Sequence, residues 1–227
     1  MDLSFLNMLP VVILPLLLAI TLHEAGHAWV AYKLGDRTAK AQGRVSFNPL
    51  VHIDPFGTVI LPLILLVSGS PFLFGYAKPV PVNFNNLNNP KRDMVLVALA
   101  GPMANILLVI LAALSFYLLP IMPGFVGDWF LDNIRYMIFI NALLAAFNML
   151  PIPPLDGGRV AVGLLPYSLA RPLARLEPYG MFIIIGLFLL PSLTQTFGLN
   201  FNILGWVLMP VISFIVEMAN MIAPVFS

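Results

Sequence analysis

Two histidines four residues apart, His23 and His27, stand in an otherwise almost wholly apolar stretch, with Glu24 beside the first of them. On an α-helix, residues four apart project from nearly the same face, one turn of about 5.4 Å along the axis, so two imidazoles there grip one cation. Glu24 sits about 100° round from His23, close enough to take the proton of an attacking water without being a ligand itself. That is a hydrolytic metal arrangement with the carboxylate as general base. Packing alone accounts for it poorly. A charged side chain at mid-bilayer costs at least about 2.5–3.5 kcal/mol on insertion scales, and two of the chain's three histidines fall within these five residues.

The elements that must position this motif are set by composition. Of 227 residues, 60% are hydrophobic and 9% charged, against roughly 25% charged in soluble domains. Apolar runs long enough for a hydrocarbon core, about 20 residues each, recur at 9–34, 94–119, 134–150, 180–197 and 201–223. The expected fold is an all-α polytopic membrane protein with five to six transmembrane helices, one membrane-embedded domain over residues 1–227. A net charge of +1 provides no basic face for nucleic acid. With no cysteine, disulfides and thiolate metal sites are excluded, so ligands must be His, Asp or Glu. The first apolar run is read as a retained helix rather than a signal peptide, because Met1-Asp2 lacks a basic leader.

Ten of the eleven Lys and Arg residues, Lys33, Arg37, Lys40, Arg44, Lys78, Lys91, Arg92, Arg159, Arg171 and Arg175, fall in four linking regions; only Arg135 lies elsewhere. By the positive-inside rule those regions are cytoplasmic, while Met1-Asp2 and the loop around Asp128 and Asp132 face outward. Residues 53–76 are apolar but have basic segments on both sides, and Pro55, Gly57, Pro62, Gly69 and Pro71 interrupt them. A re-entrant hairpin is expected there, with a plain sixth span as the rival. Segments 43–47 and 78–83 read as short β segments near the cytoplasmic side, the second an edge strand because Pro79 and Pro81 lack N–H donors. Small residues at 100–105 and 142–146 favour close helix packing.

A catalytic zinc usually takes three protein ligands and water. If Leu34 ends the first span, His27 lies about 10 Å below the interface, and the third ligand must reach that depth from the same side. Asp156, in Leu155-Asp156-Gly157-Gly158-Arg159, follows a span that arrives there. His52 and Asp54 compete as residues at the mouth of the hairpin. A role behind the ligands or in gating suits them better, and Asp54-Pro55-Phe56-Gly57 also reads as an ordinary turn.

His23-Glu24-x-x-His27 is joined by Asn148-x-x-Pro151-x-x-x-Leu155-Asp156-Gly157 at the end of a later span. With both motifs, the chain resembles the site-2 protease family of intramembrane zinc proteases, in a compact form without a PDZ or CBS domain. The resemblance implies one Zn2+ held by His23, His27 and Asp156, Glu24 as base, and Asn148 as a polar group near the scissile carbonyl. Gly101-Pro102-x-x-Asn105 resembles a further, structural family element.

The activity expected is hydrolysis of a peptide bond in or near the spanning segment of a single-span membrane protein within the lipid bilayer, on the cytoplasmic side of the cell membrane. A substrate helix hides its amides, so it must unwind. A free strand edge at 43–47 or 78–83, the latter presenting Val80 and Val82, is suited to hold it extended. Two rivals stand: a metal transporter, which leaves Glu24 without a task and lacks polar residues in the outer halves of the spans, and non-haem iron on the same ligands.

Overall fold

The computed structural model describes residues 4–60, 64, 77–199 and 201–226, with side chains from Val11 onward apart from Val59. Five segments of it are helical, long and apolar enough to cross a membrane: Val11–Lys33, Pro90–Ile121, Gly124–Asn148, Tyr167–Gln195 and Ile203–Ile222. The α-helices are α1 (Ser4–Lys33), α2 (Thr38–Ala41), α3 (Pro90–Ser115), α4 (Gly124–Asn148), α5 (Asp156–Leu164), α6 (Tyr167–Ala174), α7 (Gly180–Gln195) and α8 (Ile203–Ile222).

Helices α3 and α4 form the centre. Val109, Ala112 and Ala113 of α3 pack with Ile134 and Ile138 of α4 and Ala219 of α8. Nearer the other end of α4, Ala142 and Ala146 meet Leu204, Leu208 and Ile212 of α8. Helix α1 lies against α3 through small residues: a Cβ on Gly26 would come 2.9 Å from the Ala100 carbonyl oxygen and 3.5 Å from Ala104 Cβ. Lipid tails provide no hydrophobic drive between helices, so such close backbone approach supplies the contact through dispersion. Phe182, Leu189 and Leu193 of α7 are exposed, as suits side chains whose solvent is hydrocarbon.

Two expectations are corrected. No strand forms among the described residues. In 78–83, which was expected to pair as an edge strand, the Lys78 N–H donates to the His52 carbonyl (3.0 Å), Val80 N–H to Glu24 Oε2 (2.7 Å) and Asn83 N–H to Asp36 Oδ2 (2.8 Å). With Pro79 and Pro81 lacking donors, little is left to build a ladder. The Arg44 guanidinium, from the other expected strand, donates to the Lys78 carbonyl, so a side chain rather than strand pairing links the two segments. The second correction concerns Asp128 and Asp132, which lie in the first turns of α4 rather than in a loop. Asp132 is 3.8 Å from Arg135 one turn on, and Arg135 Nε donates to the Val225 carbonyl, so the polar start of α4 is stabilised as helix. Of the expected hairpin at 53–76, Pro55–Ile60 forms a π-helical turn; residues 61–63 and 65–76 lie outside the described residues.

Asp36, fully buried after α1, ties the far segment to this helix. Its Oδ1 accepts from the Thr38 N–H (3.0 Å), the Thr38 hydroxyl (2.5 Å) and Asn86 Nδ2 (3.1 Å), while Oδ2 takes Asn83 N–H. Burial works to raise its pKa, but the bonds from Thr38, Asn86 and Asn83 outweigh it and hold the carboxyl below its ordinary 3.8. Because the folded pKa is depressed, the ionised group's stabilisation is complete above the unfolded value and is lost as pH falls through the folded one. The thermal unfolding temperature in detergent should therefore fall as pH drops below about 4. Asp36→Ala should remove that part of the pH dependence and cost about 1–3 kcal/mol at neutral pH by stranding buried donors.

Candidate metal centre

His23 and His27 occupy successive turns of α1, with exposures of 7% and 9%. Each ring is oriented through its Nδ1. His23 Nδ1 donates to Asn105 Oδ1 (2.6 Å) and His27 Nδ1 to the Val97 carbonyl (2.7 Å), both on α3. Asn105 has its oxygen toward His23 because its amide nitrogen donates to Asn141 Oδ1 of α4 (2.8 Å) and the Ala19 carbonyl (3.3 Å). With protons on Nδ1, each neutral imidazole presents a lone pair at Nε2.

Those two Nε2 atoms face each other at 3.1 Å, and Asp156 Oδ2 lies 3.2 Å from the first and 3.3 Å from the second. Asp156 is the first residue of α5 and is 5% exposed. It gets there because Gly157, the next residue, lies directly on the Met149 carbonyl and 2.6 Å, measured from a notional Cβ, from the Leu150 oxygen. A larger residue would push the turn apart.

The triangle fits zinc on three counts. Four tetrahedral bonds of about 2.0–2.1 Å place ligand atoms about 3.3–3.4 Å apart, close to the observed edges. Asp156 Oδ2 is buried with no hydrogen-bond partner, the condition of an acceptor meant for a cation. Gly101 on α3 faces the triangle: a Cβ there would collide with His27 Nε2 and lie 2.6 Å from His23 Nε2, so the missing side chain leaves the space an ion needs. Among the described residues, His23, His27 and Asp156 are the cluster able to hold a metal.

The other expected site residues are placed elsewhere. Glu24, half-buried, bonds Val80 N–H through Oε2. His52 is 1% exposed and sends Nε2 to the Ser46 carbonyl (2.9 Å). Asp54 caps the following turn, its Oδ1 accepting from the N–H groups of Phe56 (3.0 Å) and Gly57 (2.7 Å), which is the turn geometry its sequence also allowed. Asn148 directs Nδ2 to the Leu144 carbonyl of its own helix (3.0 Å). Val82 packs against Ala31, Leu87 and Val97. Gly101 and Asn105, in sequence no more than a structural family element, and Asn141, which stands in no motif, complete the site. Two asparagines in apolar spans were the available signal, since an uncompensated amide is costly in lipid.

Gly101→Ala should abolish stoichiometric zinc binding in purified protein while the helical content stays as in wild type. Asn105→Leu, which leaves His23 unoriented, should weaken zinc affinity about 10–100-fold. Competition with a chelator measures both.

The profile of peptidase family M50 matches residues 11–123 and 128–191 of the chain. A Bacillus subtilis protein named "Putative zinc metalloprotease YwhC" is 39% identical over 193 residues, covering 82% of this chain and 83% of its own. A Mycolicibacterium smegmatis protein named "Putative zinc metalloprotease Rip2" is 30% identical over 211 residues, 90% of this chain and 75% of its own. One from Methanocaldococcus jannaschii, "Putative zinc metalloprotease MJ0611", is 32% identical over 140 residues, 61% of this chain and 62% of its own. No solved structure matches the chain significantly. A histidine pair and a carboxylate converging in a bundle of apolar helices thus agree with the sequence kinship, and the chain belongs to peptidase family M50, the zinc metalloproteases of the site-2 type.

Proposed function

We propose that this chain is an intramembrane endopeptidase that cleaves single-span membrane proteins within or near their spanning segment, at a site toward the cytoplasm. The observation that carries it is the triangle of His23 Nε2, His27 Nε2 and Asp156 Oδ2, with edges of 3.1–3.3 Å, set on helices long enough to cross a bilayer. The cytoplasmic orientation rests on the basic residues Lys33, Arg37 and Lys40 at one end of α1 and Lys91 and Arg92 at the start of α3.

When bound by these three side chains, zinc supplies Lewis acidity, polarising a carbonyl and lowering the pKa of water. The rest falls to the chain. Glu24, next to His23 and outside the triangle, takes the proton of the attacking water and returns it to the leaving amine. Asn148 ends α4 on the side from which Asp156 enters, and its amide orients the scissile carbonyl. Val82 is packed inward and the Val80 N–H is already donated, so an extended substrate docks on 78–83 through the carbonyls of Val80 and Val82 rather than through a full strand edge.

Glu24→Gln should retain zinc and lower cleavage of a membrane-embedded reporter by about 10²–10⁴-fold. Unimpaired cleavage by that variant would remove Glu24 from the mechanism. Metal flux into proteoliposomes without peptide cleavage would instead favour a transporter.

A further inference from the structure

We propose that the backbone N–H of Val80 is a positioning group for Glu24, held in place by Arg44. The inference rests on Glu24 being the general base and adds what fixes its carboxylate. Glu24 Oε2 accepts the Val80 N–H at 2.7 Å, across 56 residues of sequence. A glutamate has three rotatable side-chain torsions, and one directional bond to a fixed donor removes most of their freedom. With Oε2 engaged, Oε1 is the oxygen left for the proton.

The donor is fixed from both sides. Two residues before it, Lys78 donates its N–H to the His52 carbonyl at 3.0 Å and its own carbonyl accepts from Arg44 Nη2. The same Arg44 nitrogen reaches the Pro79 carbonyl at 3.4 Å. Arg44 is 4% exposed, and its Nη2, seated on these two backbone carbonyls, ties the segment to the 44–52 loop through charge-assisted hydrogen bonds. His52 in turn is anchored through Nε2 to the Ser46 carbonyl. Two and three residues after the donor, Val82 packs into the cluster of Ala31, Leu87 and Val97, and Asn83 N–H is bound by Asp36. Pro79 and Pro81 limit the backbone on either side of Val80. Glu24 therefore meets a donor whose position is set by α1, by the 44–52 loop and by the turn at 83–86. Arg44 and His52 act through the segment and touch no reacting atom.

The tests separate the contact from the chemistry. Val80 is the sole residue of Pro79-Val80-Pro81 with an amide hydrogen, and its exchange can be followed in 15N-valine-labelled protein, where its signal is the one missing from Val80→Ala. In metal-free protein the Val80 amide should be protected from exchange. Glu24→Gln, which keeps an acceptor oxygen, should preserve much of the protection, and Glu24→Ala should remove it. An amide that exchanges equally fast in wild type and Glu24→Ala overturns the contact.

On a membrane reporter, Val80→Pro deletes the donor and should lower kcat about 10–100-fold with KM within about twofold and zinc still bound at one ion per chain. Val80→Ala keeps the donor and serves as the reference for the lost side chain, and kcat in Val80→Pro should fall about tenfold or more below it. Arg44→Gln should lower kcat in the same pattern, with partial recovery in Arg44→Lys. Full kcat in both Val80→Pro and Arg44→Gln overturns the positioning role, as does a loss carried wholly by KM. Full turnover by Glu24→Gln would refute the base assignment while leaving the exchange result to judge the contact.

Discussion

Three lone pairs point into one buried space, and the rest of the molecule is arranged around that fact. Two neutral imidazole nitrogens and a carboxylate oxygen at 3.1–3.3 Å repel one another unless a cation lies between them. Holding them there requires that α1 and α3 touch backbone to backbone at Gly26 and Ala100, that Gly101 contribute no side chain, and that the turn after α4 close tightly enough at Gly157 to bring Asp156 in. It also requires that both imidazoles have their protons on Nδ1, which Asn105 and the Val97 carbonyl ensure. Removing any of these supports leaves the ligands present but displaced, and such outer supports affect metal affinity almost as the ligands do.

The polar groups form a continuous system within an apolar bundle. From the triangle, hydrogen bonds run through Asn105 to Asn141 and the Met137 carbonyl, so every buried amide on that path has a partner, as a low-dielectric interior demands. On the open side, Asp36 joins α1 to the turn at Asn83 and Asn86, and that turn continues into the segment whose Val80 N–H meets Glu24. Asp36 and Glu24 thus both fasten one piece of chain.

Much of this was legible in the sequence because it depends on local periodicity. His23, Glu24 and His27 are separated by fixed steps of one helix, and Asp156 could be placed near them by counting spans. What the sequence concealed was decided by contacts between elements. Gly101 and Asn105 acquire their roles only because α3 faces the histidine side of α1. The strands expected at 43–47 and 78–83 did not form because side chains of Glu24, Asp36 and Arg44 take the backbone groups that a ladder would have used. His52 and Asp54 competed with Asp156 because they stand at the mouth of the expected hairpin, with a role behind the ligands or in gating preferred; their side chains are engaged with the Ser46 carbonyl and the Phe56 and Gly57 amides. Asp36 carried no motif at all; its four bonds are to residues two or about fifty positions away.

The ligand set is the claim on which everything else rests, and X-ray absorption at the zinc edge of the loaded protein measures it directly. Two imidazole nitrogens and oxygen ligands at about 2.0–2.1 Å are expected, with one imidazole lost in His27→Ala and the oxygen shell altered in Asp156→Ala. A spectrum unchanged by Asp156→Ala, or one that loses an imidazole in His52→Ala, would contradict the account.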